Sequence, residues 1–127
     1  ATLRWIDVQP RPSLSPPADP AAVDRGRALF NDSTRGACAT CHTGARLTNS
    51  TSVDVGTGGM FQVPSLLGIN AVPPYYHNGA CETLACVVDD PKHRTANGTM
   101  PDTLTNASDR AAVVAFLRSI SLQTQPF

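Results

Sequence analysis

The sequence predicts a single all-α domain of few short helices and long loops. Three observations lead there. The pentapeptide Cys38-Ala39-Thr40-Cys41-His42 sets a prosthetic-group motif about a third of the way along the chain. The C-terminal segment carries apolar residues at helical spacing. Eleven prolines and nine glycines among 127 residues favour loops over sheet. A chain of this length makes one domain and buries about two-thirds of the surface its unfolded form exposes.

Cys-x-x-Cys-His is the attachment pattern of a c-type haem. Its thiols add to the two porphyrin vinyl groups, and the histidine that follows is held against one face of the iron. Two intervening residues make about one turn of chain, which spaces Cys38 and Cys41 for both vinyls. A zinc ribbon would need a second Cys-x-x-Cys, but Cys81 and Cys86 have four residues between them. A thioredoxin-like pair would follow a strand in a βαβ pattern, and none precedes Cys38. The expected cofactor is therefore one covalent haem c, which would supply much of the apolar centre.

The elements follow in order. Residues 1–19 read as a proline-rich arm or linker, pinned by Trp5 and Ile6, and residues 20–127 as the haem domain. The first helix spans Pro20 to Asp32, capped by Asp19, with Pro20 at its first position. Gly26 and Phe30 share a stripe four residues apart, where another helix can approach closely. Ser50 to Phe61 reads as a glycine- and threonine-rich loop. Pro64 to Asn70 reads as a short turn or helix, broken by Val72-Pro73-Pro74. Thr83 to Asp89 fits a short helix, and Asp89 to Thr103 a long polar loop. The last helix runs from Asn106 to Ser121, with Thr105 or Asn106 as cap and Asp109 in the first turn. Ala112, Val113, Phe116, Leu117 and Ile120 form its buried face, which is expected to cross the first helix.

Charge narrows the function. Lys plus Arg equals Asp plus Glu, a formal net charge of zero. That is unlike a nucleic-acid binder, and any steering toward a redox partner must come from local patches. No apolar run approaches the roughly 20 residues of a membrane span. Haem attachment of this kind occurs outside the cytoplasm, so a bacterial periplasmic or other extracytoplasmic location is expected, with a leader removed before Ala1 or the chain excised from a larger protein. In such an oxidising place Cys81 and Cys86 are expected to pair. The Asn-x-Ser/Thr triplets at Asn31, Asn49, Asn97 and Asn106 read as background.

The order of these pieces resembles a cytochrome c fold. More closely, Phe61 to Gly68 (FQVPSLLG), Pro74 to Gly79 (PYYHNG) and Thr83-Leu84 are similar to the C-terminal haem domains of bacterial di-haem cytochrome c peroxidases and MauG-like proteins. The similarity runs from about Pro20 to Ile120. Two features depart from that family: Leu67 stands where arginine is usual, and there is one Cys-x-x-Cys-His. The two-haem division of labour in those peroxidases thus has only one half here. The resemblance points toward peroxidases, but the single attachment site makes a one-electron carrier with His/Met-ligated iron the expected function; the alternative is the haem-domain half of a peroxidase or oxygenase with an exchangeable sixth ligand. A sensing or purely structural haem module is a further rival. The partners implied are redox proteins or another domain of a larger protein.

His42 takes one axial position. For the other, Met100-Pro101 resembles the Met-Pro loop of single-haem cytochromes c, which makes Met100 the expected sixth ligand and His93 the runner-up. A thioether raises the potential, whereas a second histidine lowers it. His77 is expected to be solvated or hydrogen-bonded, and Met60 to pack against haem or core. Pro64-Ser65-Leu66-Leu67-Gly68 resembles the Pro-x-Leu-x-Gly segment of cytochromes c. By that likeness the Pro64 carbonyl takes the second ring proton of His42, and Leu66 packs on the porphyrin. Tyr75, Tyr76 and Arg46 are considered as propionate partners.

Overall fold

The computed structural model describes residues 19–121. The expected arm, including Trp5 and Ile6, lies outside the described residues apart from Asp19. Helix α1 spans Pro20–Asn31, and the Asp19 carboxylate accepts from the Ala21 N–H. Two strands follow, β1 (Ser52–Asp54) and β2 (Met60–Gln62), then helices α2 (Leu84–Asp89) and α3 (Pro91–Arg94). Helix α4 closes the order at Ala107–Ser119. Single 3₁₀ turns form at Cys38–Thr40 and Ile69–Ala71. Short helices and loops dominate, as the composition predicts.

The fold hangs on α1 crossing α4. The crossing is close because Gly26 has no side chain: a Cβ there would stand 1.9 Å from the Ala112 carbonyl oxygen of α4. Phe30 and Phe116 meet edge to face with ring centres 5.1 Å apart, and both are almost fully buried. Such a pair adds about 0.5–1.5 kcal/mol beyond its area burial. The predicted face of α4 is buried throughout, with Ala112, Val113, Phe116, Leu117 and Ile120 all in the core. The Asn106 side chain caps α4 by accepting from the N–H groups of Ser108 and Asp109. The helix stops at Ser119, short of Ser121, because Ile120 turns to extended backbone.

An ionic contact reinforces the crossing. Asp109, in the first turn of α4, is buried and paired with Arg25 of α1 and with Arg35 at 2.6 Å. Arg35 lies on the turn leading to Cys38, so one carboxylate ties both helices to the cysteine motif. Gly36 continues that turn: its N–H donates to the Leu29 carbonyl at 3.1 Å, and a Cβ would meet that same oxygen at 2.4 Å.

Three local readings are corrected. The Ser50–Phe61 loop contains an antiparallel hairpin, with Val53 opposite Phe61. Strands of three residues are too short for alternation to show in sequence. The Asp89–Thr103 loop contains α3, started by an Asp90 cap that accepts from the Lys92 N–H and by Pro91 at the first position. The turn expected at Pro64 to Asn70 appears as the 3₁₀ turn Ile69–Ala71, starting after Gly68 at φ 65°. Cys81 and Cys86 are disulfide-bonded, as expected. The bridge joins the start of α2 to the Tyr75–Cys81 bridge that closes the Tyr-Tyr-His-Asn-Gly turn.

Replacing Gly26 with valine should separate the helices at their closest point. The expected loss is about 1–3 kcal/mol or more, read as a lower denaturation midpoint in urea. A midpoint equal to the parent's would show that the crossing is not tight.

Candidate haem-binding site

Folding of the cysteine motif is local and simple. Ala37 adopts φ 56°, and Cys38–Thr40 make one 3₁₀ turn in which the Cys38 carbonyl accepts from the N–H groups of Cys41 at 3.3 Å and His42 at 2.9 Å. This turn brings Cys38, Cys41 and His42 onto the wall of a single cavity of about 470 Å³. The cavity falls within the roughly 300–1,000 Å³ of pockets that bury small molecules. Its remaining lining is mostly apolar: Leu66, Leu84, Val88, Val113 and Leu117 all face it. Helix α4 thus serves two layers, with Ala112 and Phe116 toward α1 and Val113 and Leu117 toward the cavity.

Burial shapes the chemistry of the motif. It pushes the Cys38 thiol up to about 12 and also raises Cys41, so as free thiols both stay protonated near neutrality. His42 is pushed down to about 4, chiefly by burial and only partly offset by the Leu47 and Pro64 carbonyls. A neutral imidazole is the form that binds a metal. Its Nδ1 lies 3.1 Å from the Leu47 carbonyl oxygen. A carbonyl can only accept, so Nδ1 carries the proton and Nε2 keeps its lone pair.

Leu47 is a partner that sequence reading missed. A backbone carbonyl leaves no side-chain signature, and Leu47 reaches its position through φ 54°. Pro64 stands nearby because two side chains clamp its segment to the Arg46–Thr48 loop. Thr48 Oγ1 donates to the Val63 carbonyl at 2.5 Å, and Ser65 Oγ donates to the Arg46 carbonyl at 2.6 Å. Pro64 therefore bears on the His42 ring, while the hydrogen-bond distance belongs to Leu47.

The structure sorts the other expected residues. Met100 and His93 both line the cavity. His93 sits on α3 with its Nδ1 3.3 Å from the Val87 carbonyl oxygen, which fixes the same tautomer as in His42. Its ring centre lies 6.4 Å from that of His42, at an interplanar angle of 73°. His77 is exposed; its Nε2 donates to the Thr57 carbonyl at 2.8 Å and its ring stacks on Phe61 at 3.6 Å. Met60 does not pack inward. It is 64% exposed, because on the short strand β2 it is Phe61 that reaches the cavity lining.

Of the residues considered as propionate partners, Tyr75 and Tyr76 line the cavity. Tyr75 OH donates to the Ile69 carbonyl at 3.0 Å, and Tyr76 OH to the Asp90 carboxylate at 2.9 Å. Arg46 is exposed and absent from the cavity wall. Arg94 does line it, but its guanidinium holds Asp102 at 2.8 and 3.0 Å and the Val88 carbonyl at 2.9 Å. That ion pair keeps Arg94 protonated, lowers Asp102 below its usual carboxylate value, and pins the chain after Met100 to α3.

Two thiols, an imidazole of fixed tautomer and apolar walls on one cavity suit a covalently bound haem. The Cytochrome c family profile matches residues 23–121, well over half the chain. This chain belongs to the cytochrome c family. No curated protein and no solved structure gave a match. Membership of that family implies haem binding, and among the described residues no helix is long and apolar enough to cross a membrane.

Attachment through two sulfurs has a separable signature. Cys41→Ala should leave one thioether and one intact vinyl, which shifts the reduced pyridine haemochrome band toward longer wavelength. The double variant Cys38→Ala/Cys41→Ala should release its haem to acidified organic solvent. Retention of haem by the double variant would contradict attachment at these residues.

Proposed function

We propose that this cytochrome c domain, residues 20–127, binds a single haem c and passes one electron at a time between redox partners outside the cytoplasm. The haem supplies a ferric/ferrous couple when bound. The chain supplies its setting. Cys38 and Cys41 hold the porphyrin, His42 is aimed by the Leu47 and Pro64 carbonyls, and Leu66 packs against the ring. Met100, the residue expected from the Met-Pro likeness, and His93 are the donors proposed for the far side; His77 also lines the cavity, but its Nε2 is engaged by the Thr57 carbonyl.

The observation that carries this reading is the presence of a second donor on the same cavity wall as the His42 motif. Two chain ligands leave no open position for peroxide or oxygen, which favours electron transfer over catalysis. The likeness to peroxidase C-terminal domains points toward catalysis, but the single attachment motif in this sequence supplies only one of the two haems between which that chemistry is divided. Its partners are then redox proteins or another domain of a longer protein.

Carbon monoxide and peroxide test the proposal together. The ferrous protein should show an unchanged spectrum under carbon monoxide, and the ferric protein should not turn over hydrogen peroxide. A rapid carbon monoxide adduct with sustained peroxide consumption would make the domain part of an enzyme.

A further inference from the structure

The His42–His93 geometry points to a bis-histidine iron, with His93 rather than Met100 as the sixth ligand. The inference rests on the haem reading above and specifies its far side. An imidazole nitrogen binds a first-row transition metal at about 2.0–2.1 Å. Two imidazoles ligating one metal from opposite sides therefore have ring centres about 6–6.5 Å apart once the ring radius is added. The observed separation is 6.4 Å.

Both rings are also prepared in the same way. Each donates Nδ1–H to a backbone carbonyl, Leu47 for His42 and Val87 for His93. That anchoring leaves Nε2 as the lone-pair nitrogen on both, and such a bond is what commonly orients a metal-binding histidine. The Tyr76 ring meets His93 edge-on at 6.0 Å and 85°. Tyr76 is in turn held by Asp90, the residue that caps α3. A one-turn helix, its cap and a tyrosine thus converge on the placement of one half-buried imidazole.

Only one donor can occupy the sixth position. Met100 lines the cavity on a turn where its N–H donates to the Thr95 carbonyl at 2.9 Å. Its thioether then packs against the porphyrin, a use to which a flexible methionine is suited. The functional consequence is a potential below that of a methionine-ligated relative, because the thioether's preference for ferrous iron is absent. This carrier would serve low-potential partners.

The test uses the haem-loaded wild-type chain and two variants. The ferric wild type should be low-spin without the long-wavelength charge-transfer band of sulfur-ligated haem, and Met100→Ala should remain low-spin, with no loss of an axial ligand. His93→Ala should become high-spin, bind carbon monoxide when reduced, and recover the low-spin spectrum on adding imidazole. The wild-type spectrum is decisive even if His93→Ala fails to fold. A sulfur band lost in Met100→Ala would overturn the assignment while leaving the haem reading intact; a chain carrying no haem would overturn both.

Discussion

The close crossing of α1 and α4 is the constraint on which the rest depends. Backbone meets backbone where Gly26 faces Ala112, and Phe30 and Phe116 fill the angle beside them. Asp109 converts that packing into a positional device. By holding Arg25 and Arg35 it fixes the turn that carries Cys38 relative to the helix whose other face lines the cavity. Burying one carboxylate between two half-exposed guanidinium groups is tolerable because both oxygens are satisfied.

From that frame the site is assembled by short-range bonds rather than by long elements. A single 3₁₀ turn orients both sulfurs and His42. Two side-chain hydroxyls, on Thr48 and Ser65, lash the Pro64 segment to the loop that supplies the Leu47 carbonyl. On the other side α3, only four residues long, carries His93, and the Arg94–Asp102 pair fastens the chain that bears Met100. The apolar walls come from Leu66, α2 and α4. These loops enclose an apolar cavity, and the proposed haem would fill the centre that side chains leave open.

The sequence made some of this legible and hid the rest for physical reasons. Helical periodicity declared α4, an Asp-Pro start declared α1, and Cys-x-x-Cys-His declared the cofactor. The disulfide followed from two spare thiols. Asp109 was legible only as a charge in a first turn; its ion pairs join residues more than 70 positions away and leave no local trace. Helix α3 had the same Asp-Pro signature as α1, at Asp90-Pro91, yet its one turn is too short for periodicity to announce. The Leu47 carbonyl has no signature at all. Met60 shows the opposite failure, an apolar residue assigned to the interior that the strand turns outward.

One measurement addresses the central claim, that this cavity holds a single haem through Cys38 and Cys41. The denatured protein, matured in a host able to attach haem c, is weighed intact by mass spectrometry after treatment with an alkylating agent. The account predicts the chain mass plus one haem, with no alkylation at Cys38 or Cys41. A chain of unmodified mass that takes alkyl groups at both cysteines would contradict it.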